Sequence, residues 1–395
     1  MTPYTNFYYF GFALYALLPV FLFFKFKLAS KFWLVITTIF MLALQYAATK
    51  NIFVATSFSE LWLVLGYGVV QYLLALLFLV IRPAVHTKSG ANRIVFWVVV
   101  LLSLAPLLAG KFIPLVNPSY LLVFLGLSYA TFRCLDVIIG IQDGLIKNLP
   151  PFQYLTFLLF FPTISSGPVD RYQRFSEDWN HRRTGTEFIN DIDGAIQRIF
   201  RGFLYKFILA SLINTYWLDV AASQHGFLAN VSYMYAYSFY LFFDFAGYSA
   251  FAIGFSYIFG IHSPENFNLP FLATNMIDFW NRWHISLSSF FRDNIYNRFV
   301  FAALKGRWFK NKFTASYLGF LLSMGLMGLW HGTAWHYIIY GLYHGVLLIL
   351  TDMLERNNKK KKWWDENKPV NKVLSIVITF QLVCFGLLIF SGHLG

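Results

Sequence analysis

The composition of this 395-residue chain excludes a soluble globular protein. Hydrophobic residues make up 58% of the chain and charged residues only 12%, with 46 Phe, 24 Tyr and 12 Trp, whereas soluble domains carry about 25% charged residues. Uncharged runs of about 20 residues recur and match a bilayer core of roughly 30 Å, and the alternating segments of ~10 residues that form a transmembrane barrel are not seen. The sequence therefore predicts an all-α polytopic membrane protein. Its net charge is +13, and the next question is on which side of the membrane the basic residues lie.

The apolar runs predict ten membrane-spanning helices. The first run lacks a basic leading region and a small-residue cleavage site, so we expect a retained span and not a removed signal. The predicted spans cover residues 7–24, 32–48, 61–81, 94–110, 119–141, 203–219, 232–259, 314–330, 335–351 and 373–392. A shorter run from Tyr154 to Pro168 is interrupted by Pro162 and Gly167. It predicts a half-span segment, which is tolerated only where protein or a cavity covers its backbone.

Basic residues are distributed unequally between alternate loops. Of the 31 Lys and Arg residues, 27 fall in one set of loops, only Lys50 and Lys111 fall in the other, and Arg133 and Lys206 lie within predicted spans. Because cytoplasmic loops carry the excess of Lys and Arg, this split predicts a basic cytoplasmic face and two extracellular termini. The charge then serves mainly as a topology signal that also meets anionic lipid. This disfavours nucleic-acid binding and favours an acidic cytoplasmic protein as partner.

The two largest cytoplasmic loops, residues 142–202 and 260–312, combine aromatic residues and proline with charge. They predict interfacial helices packed beneath the membrane domain.

Several kinds of site are not predicted. Cys134 and Cys384 lie in separate apolar runs, which offers neither a disulfide framework nor a cysteine metal site. The histidines lack the dense spacing of intramembrane di-iron boxes, and the sequence contains no serine nucleophile elbow, P-loop or Rossmann fingerprint. No bound metal is therefore expected.

Three ionisable residues in apolar surroundings are candidate functional groups, because intramembrane charges are costly. Arg133 and Asp136 share a helix face at a spacing of three and are predicted to pair, either as a structural ion pair or as the lining of a polar path. Asp244 stands alone in a long apolar run and requires a partner or a raised pKa, so it is either a structural carboxylate paired with a donor from a loop or a functional group. Its neighbours Gly247 and Ser249 are expected to let another backbone approach closely.

A segment that starts at Asp278 predicts an amphipathic interfacial helix. Its apolar positions recur at helical spacing, and they are Trp280, Trp283, Leu287, Phe291 and Ile295. His284 lies on or beside this apolar face. The position suits either a hydrogen-bonded core histidine or a group that acts on a substrate.

His331 lies in the motif Gly328-Leu-Trp-His-Gly, at the predicted outer turn between two spans. Gly332 is expected to allow a sharp turn and open access to the imidazole. A histidine with a reference pKa near neutrality at a buried helix end is suited to general-base work. His336 and His344 follow on one face of the next helix.

Five sequence motifs in this region together resemble those of the membrane-bound O-acyltransferase family. They occur in the family's order within about residues 230–350: Asp244-Phe-Ala-Gly-Tyr-Ser, Asn266-Phe-Asn-Leu-Pro, Phe279-Trp-Asn-Arg-Trp-His-Ile-Ser-Leu-Ser, Arg292-Asp293 and Gly328-Leu-Trp-His-Gly. The resemblance places the family's invariant histidine at His331 and a second, supporting polar position at His284. It implies one membrane-embedded domain over residues 1–395, with 10–11 transmembrane helices and with half-span and interfacial helices around a central funnel.

In its length and in the motif Gly167-Pro-Val-Asp-Arg-Tyr-Gln-Arg, the chain resembles the branch of the family that D-alanylates teichoic acids. The resemblance implies transfer of D-alanine from a phosphopantetheine thioester on a small acidic cytoplasmic carrier protein. The implied acceptor is a hydroxyl of lipoteichoic acid outside a bacterial plasma membrane, and His331 is the implied general base. The protein itself is expected to bind no cofactor, and a small membrane accessory protein of the same pathway is a further expected partner.

Two further groups of residues complete the expected site. The substrate path or its support is assigned to Asp244, Arg282, Trp283, Ser286, Trp330, Arg133 and Asp136. Carrier docking is assigned to four residues of the basic cytoplasmic region: Arg298, Val300, Phe301 and Lys305.

Three alternative functions remain open at this point. The alginate-type O-acetyltransferases are a second branch with the same reaction class, although they are usually longer. A transporter or flippase would use Arg133, Asp136 and Asp244 as its polar path, but no internal repeat supports it. A non-catalytic scaffold would explain neither the polar motifs nor their order.

If the protein is an acyltransferase, direct transfer and a covalent intermediate are both compatible with the sequence. Thr333 carries the hydroxyl closest in sequence to His331.

Overall fold

The computed structural model describes residues 2–5, 7–25, 30–46, 48–51, 54–57, 59–86, 89–117, 123–365 and 367–394. The chain divides into two compact units. The first comprises Met1–Arg201 and Tyr248–Pro264, and the second comprises Gly202–Gly247 and Glu265–Gly395. The single domain predicted over residues 1–395 stays a prediction.

The first unit is built almost wholly from helices. They are α1 (Phe7–Lys25), α2 (Ser30–Tyr46), α3 (Ser59–His86), α4 (Ser89–Val116), α5 (Leu127–Gln142), α6 (Pro151–Leu158), α7 (Tyr172–Asn180) and α8 (Gly185–Gly202). A short antiparallel hairpin, β1 (Ala48–Asn51) and β2 (Val54–Ser57), follows α2 and was not predicted.

The second unit continues from α8 without a break in helical structure. Its elements are a π-helix (Phe203–Ala210), α9 (Ser211–Ile213), a second π-helix (Asn214–Leu218), α10 (Asp219–Ala222), α11 (Phe227–Ile258), a 3₁₀ turn (Pro270–Leu272), α12 (Met276–Trp280), α13 (Ile285–Phe291), a third π-helix (Arg292–Tyr296), α14 (Asn297–Lys305), α15 (Lys312–His331), α16 (Trp335–Lys361) and α17 (Pro369–Ser391). The long helix α11 runs on into the first unit after Gly247.

The helices confirm the all-α polytopic class. Among the residues described, six helices are long and apolar enough to cross a membrane: Ser59–Arg82, Arg93–Val116, Phe227–Ile258, Lys312–His331, Trp335–Lys361 and Pro369–Ser391. Two shorter apolar helices, Phe7–Leu22 and Lys31–Tyr46, coincide with two further predicted spans. The region 203–219 is helical, and α5 covers the predicted span 119–141 from Leu127 onward. Residues 119–122 of that span lie outside the described residues. The full count of 10–11 spans and the central funnel stay predictions.

The predicted half-span is a short helix that ends inside the protein. Helix α6 has eight residues and gives way to buried turns that contain Phe160, Phe161 and Ile164. The carbonyls at the end of so short a helix need donors from outside it. Arg133 supplies them, because its guanidinium donates to the carbonyl oxygens of Phe157 (3.1 Å), Leu158 (3.2 Å) and Thr163 (2.9 Å).

The predicted pair between Arg133 and Asp136 is therefore wrong. Asp136 instead accepts from the Arg171 guanidinium at 2.8 Å and from the backbone N–H of Tyr172 at 2.9 Å. Both partners lie at the start of α7. Arg133 holds the broken segment and Asp136 anchors the next helix, so each residue has a structural task in the first unit.

Candidate functional site

His331 is the last residue of α15. Its half-buried ring is surrounded by aromatic side chains: the centroid lies 4.4 Å from that of Trp330, 4.8 Å from Phe390, 6.2 Å from Tyr337 and 6.3 Å from Tyr340. These rings come from α15, α16 and α17, so three helices fix the imidazole.

Two glycines set the distance between α15 and α16. A Cβ atom built on Gly328 would lie 3.2 Å from the Cα of Gly341, and one on Gly341 would lie 3.2 Å from the Cα of Gly328. A third glycine, Gly345, faces Leu321 in the same way. Small residues at such positions let two membrane helices pack backbone to backbone, and this packing holds the turn that carries His331.

Gly332 has a different role from the one predicted. Its backbone is extended, with φ −179°, and any residue adopts that conformation. The glycine is needed because a Cβ atom would lie against the ring of Tyr337. Gly332 therefore keeps one wall of the His331 surroundings close to the imidazole.

His284 lies at the break between α12 and α13, not within one helix. The continuous amphipathic helix predicted from Asp278 is wrong, because α12 ends at Trp280 and His284 adopts a left-handed conformation with φ 43° and ψ 50° before α13 begins. Trp283 still donates its N–H to the carbonyl of Phe279 at 2.8 Å, and it also forms a backbone bridge with Phe267. The predicted burial of Trp280, Trp283, Leu287 and Phe291 is nevertheless confirmed.

The imidazole of His284 is buried and carries two unused hydrogen-bonding atoms. Its exposure is 4%, and neither Nδ1 nor Nε2 has a hydrogen-bond partner within the described part of the chain. The ring lies 4.7 Å from Phe245 and 6.4 Å from Trp330, measured between centroids. Burial, and then the charge of the nearby His331, lower the pKa of His284 to about 3. His284 is therefore neutral at physiological pH, with one N–H donor and one acceptor.

Asp244 forms an ion pair within the second unit. It pairs with Lys206, which lies on the π-helix that faces α11. A Cβ atom at Gly247 would lie 2.8 Å from the backbone N of Lys206 and 3.1 Å from the carbonyl O of Gly202. The predicted close backbone approach at Gly247 is confirmed, and the partner that Asp244 requires is a lysine of a predicted span.

The remaining support residues of the second unit lie around His284. Arg282 pairs with Asp278 at 2.7 Å, and the indole of Trp283 packs 5.1 Å from the ring of Phe267. The Ser286 hydroxyl donates to Oδ1 of Asn266 at 2.6 Å. Trp330 contacts both histidines. Arg133 and Asp136 belong to the first unit and have the structural partners given above.

The expected docking residues lie on α14. Arg298, Phe301 and Lys305 are exposed, and Phe301 retains 68% of its accessible surface. Val300 is only partly exposed. It lies against Gly319 of α15, because a Cβ atom built on Gly319 would be 3.0 Å from Cγ2 of Val300. The docking role stays a prediction, with Phe301 in a better position than Val300 to meet a partner.

Two polar residues near the histidines had no predicted role. Asn266 is fully buried, and the sequence indicated it only as part of a family motif. His344 is also fully buried, and both its ring nitrogens lack a hydrogen-bond partner among the described residues. Its ring lies among those of Trp280, Tyr340 and Tyr343. Its placement beyond His336 was visible from spacing, but its burial depends on α12 and α17.

Comparison with known proteins shows the family of the chain. The profile of the membrane-bound O-acyltransferase family matches residues 32–390. The chain is 43% identical to the teichoic acid D-alanyltransferase of Bacillus subtilis, over 99% of this chain and 98% of that protein. It is 40% identical to the protein of the same name from Streptococcus thermophilus, over 100% and 96%.

A more distant similarity covers part of the chain. The probable alginate O-acetylase of Pseudomonas aeruginosa is 33% identical over 70% of this chain and 50% of that protein. The family match covers most of the chain, and the first two relatives align along nearly their whole length. The protein is an acyltransferase, and the chain belongs to the membrane-bound O-acyltransferase family.

Proposed function

We propose that the protein transfers D-alanine from a thioester on a cytoplasmic carrier protein to hydroxyl groups of a teichoic acid outside the cell membrane. The observation that carries this proposal is the full-length similarity to two proteins named teichoic acid D-alanyltransferase. The pair of histidines around Trp330 supports the reaction class, because acyl transfer to a hydroxyl needs a base and a donor to the carbonyl oxygen. Lipoteichoic acid is the expected acceptor.

His331 acts as the general base in this proposal. It removes the proton of the attacking hydroxyl as the oxygen adds to the thioester carbonyl, and it returns that proton to the departing pantetheine sulfur. The C-terminus of α15 stabilises the imidazolium that forms between these two steps. A positioned base of this kind contributes about 10²–10⁴-fold in rate.

His284 acts as a neutral hydrogen-bond donor. Because its pKa is lowered to about 3, it holds one N–H that can be directed at the thioester carbonyl oxygen. The negative charge that develops on this oxygen in the transition state then strengthens the hydrogen bond. Loss of one such donor costs about 10²–10³-fold in rate.

The charge distribution supports donor entry from the cytoplasm. The basic loops identified from the sequence include α14, where Arg298 and Lys305 are exposed beside Phe301. An acidic carrier would be attracted to this surface, and an extended pantetheine arm of about 20 Å reaches well into a bilayer core. In this orientation His331 lies on the acceptor side and both termini lie outside.

Purified protein in proteoliposomes tests the reaction. The donors are carrier protein loaded with radiolabelled D-alanine and, as the alternative, the same carrier loaded with acetate. The acceptor is lipoteichoic acid on the opposite side of the membrane. We expect D-alanyl ester on the acceptor only when donor, protein and acceptor are all present. Acetyl transfer without alanyl transfer would favour an acetyltransferase, and uptake of acceptor without ester formation would favour a transporter.

Carrier docking has its own test. We expect Arg298→Glu with Lys305→Glu to weaken carrier binding, by about tenfold at low salt and by less at high salt, because rim charges act through screened electrostatics. Binding is measured by biolayer interferometry at two salt concentrations. The control is Lys359→Glu with Lys360→Glu, which reverses the same amount of charge on α16. Equal weakening in both double variants would show that net charge, and not the α14 surface, governs docking.

A further inference from the structure

The left-handed conformation of His284 is held by a short antiparallel pairing. The N–H of Asn268 donates to the carbonyl of Arg282 at 2.9 Å, and the N–H of Ile285 donates to the carbonyl of Asn266 at 3.0 Å. The bridge between Phe267 and Trp283 lies between these two hydrogen bonds. His284 is thus bracketed by residues whose backbones are tied to the segment 266–268.

This conformation is unusual for a residue with a side chain. A left-handed backbone is disfavoured for residues other than glycine, and it persists only where surrounding structure enforces it. Leu269, which directly follows the paired segment, is also left-handed, with φ 45°. Strain of this kind collects at ligand and active sites, and here it coincides with an imidazole whose two nitrogens lack partners.

Asn266 holds this loop through two of its own atoms. Its backbone carbonyl accepts from Ile285, the residue after His284. Its side-chain Oδ1 accepts the hydroxyl of Ser286, the next residue again. Both Asn266 and Ser286 are buried. A buried amide placed against a buried hydroxyl is costly unless the two are bonded, so the pair fixes the start of α13 in one register.

We infer that Asn266 is a positioning residue that, with Ser286, fixes the strained turn of His284 and so directs its imidazole between Phe245 and Trp330. This inference rests on the proposed role of His284 as a donor to the acyl oxygen. Neither Asn266 nor Ser286 takes part in the chemistry. Without the side-chain bond, the start of α13 relaxes toward a right-handed conformation and the imidazole leaves its position.

A double-mutant cycle separates positioning from general structural support. We expect Asn266→Ala to lower kcat for D-alanyl transfer about 10–100-fold, since small misplacements of a catalytic group cost this much, with KM for the loaded carrier changed less than threefold. In the His284→Ala background the same substitution should cost less than threefold, because the group that it positions is gone. Equal losses in both backgrounds overturn the inference.

Two Ser286 variants test the hydrogen bond. Ser286→Ala should lower kcat as Asn266→Ala does, and Ser286→Thr, which keeps the hydroxyl, should recover most of the rate. The matched control is Ser238→Ala, which removes a buried hydroxyl that bonds to Met234 of its own helix at 2.7 Å. A loss in Ser238→Ala as large as that in Ser286→Ala would also contradict a specific role.

A measurement independent of activity keeps the inference distinct from the proposed function. Exchange of the imidazole C2 hydrogen, followed by mass spectrometry, reports the surroundings of each histidine. We expect Asn266→Ala to accelerate this exchange severalfold at His284 and to leave it unchanged at His344. Unchanged exchange at His284, or equal acceleration at both histidines, overturns the inference. A wild-type protein that transfers no D-alanine would instead refute the proposed function while this result stands.

Discussion

The glycines between α15 and α16 offer a direct test of how the position of His331 depends on packing. In Gly328→Ala the new Cβ atom would lie 3.2 Å from the Cα of Gly341 and 3.3 Å from its backbone N. The carbonyl of Tyr337 would be closer still. Ordinary contact requires the helices to separate by on the order of 1 Å at this point, because packed backbones have no slack to absorb the extra methyl group.

Two consequences follow from this separation. Overpacking of this kind costs about 1–3 kcal/mol in the free energy of unfolding, which outweighs the gain of up to about 1 kcal/mol from replacing glycine by alanine in a helix. His331, the proposed general base, lies three residues beyond Gly328, and a shift of about 1 Å in a catalytic group costs about 10²-fold in rate. We therefore expect Gly328→Ala to lose about 10²-fold in transfer rate and to unfold at a lower temperature.

The assay compares this variant with Gly325→Ala on the same helix. At Gly325 the only atom within 4 Å of a new Cβ is Cδ2 of Leu342, at 3.9 Å, so the same change meets open space. Transfer rate and melting temperature are measured for both variants in the same detergent. Equal activity in Gly328→Ala and Gly325→Ala would show that the glycine contact does not position His331.

Two further perturbations test the ionic contacts. Asp244→Asn should destabilise the fold by about 1–3 kcal/mol, because it leaves the ammonium of Lys206 without its carboxylate. The double variant Asp244→Leu with Lys206→Met should regain most of that stability. A stable but inactive double variant would indicate that the ion pair also contacts the substrate. Hydrogen bonding to Asp178, despite partial burial, and then to Asp191 raises the pKa of His262, so its stabilising contribution is complete below about pH 6.5 and is lost as pH rises through the raised value. His262→Gln should therefore lower the melting temperature by about 1–3 °C at pH 6 and by less at pH 9, and a loss that grows with pH would contradict the assignment.

Features set by local sequence were predictable. The spans α15, α16 and α17 follow from uncharged runs, and the turn at His331 follows from Gly328-Leu-Trp-His-Gly between two of them. The buried faces of Trp280 and Trp283 follow from helical spacing. In each case the relevant forces act between residues close in sequence, or between an apolar face and its surroundings.

Features set by distant contacts were not predictable. The helix predicted from Asp278 breaks because the segment 266–268 pairs with residues 282–285, and the spacing of apolar residues does not reveal such a pairing. Arg133 has a neighbour of opposite charge at helical spacing, yet the broken end of α6 offers it three carbonyl oxygens. Asp136 finds Arg171, 35 residues away. Helical spacing identifies possible pairs, but the backbone donors and acceptors that compete for the same side chains depend on the fold.

The most direct test of the proposed reaction is the rate of D-alanyl transfer by His331→Ala in proteoliposomes. The matched control is His225→Ala, which removes an exposed histidine from the loop before α11. We predict that His331→Ala binds the carrier and melts like the wild-type protein but transfers D-alanine at least about 10²-fold more slowly, while His225→Ala is unchanged. A His331→Ala protein that transfers D-alanine within threefold of the wild-type rate would contradict the assignment of His331 as the general base.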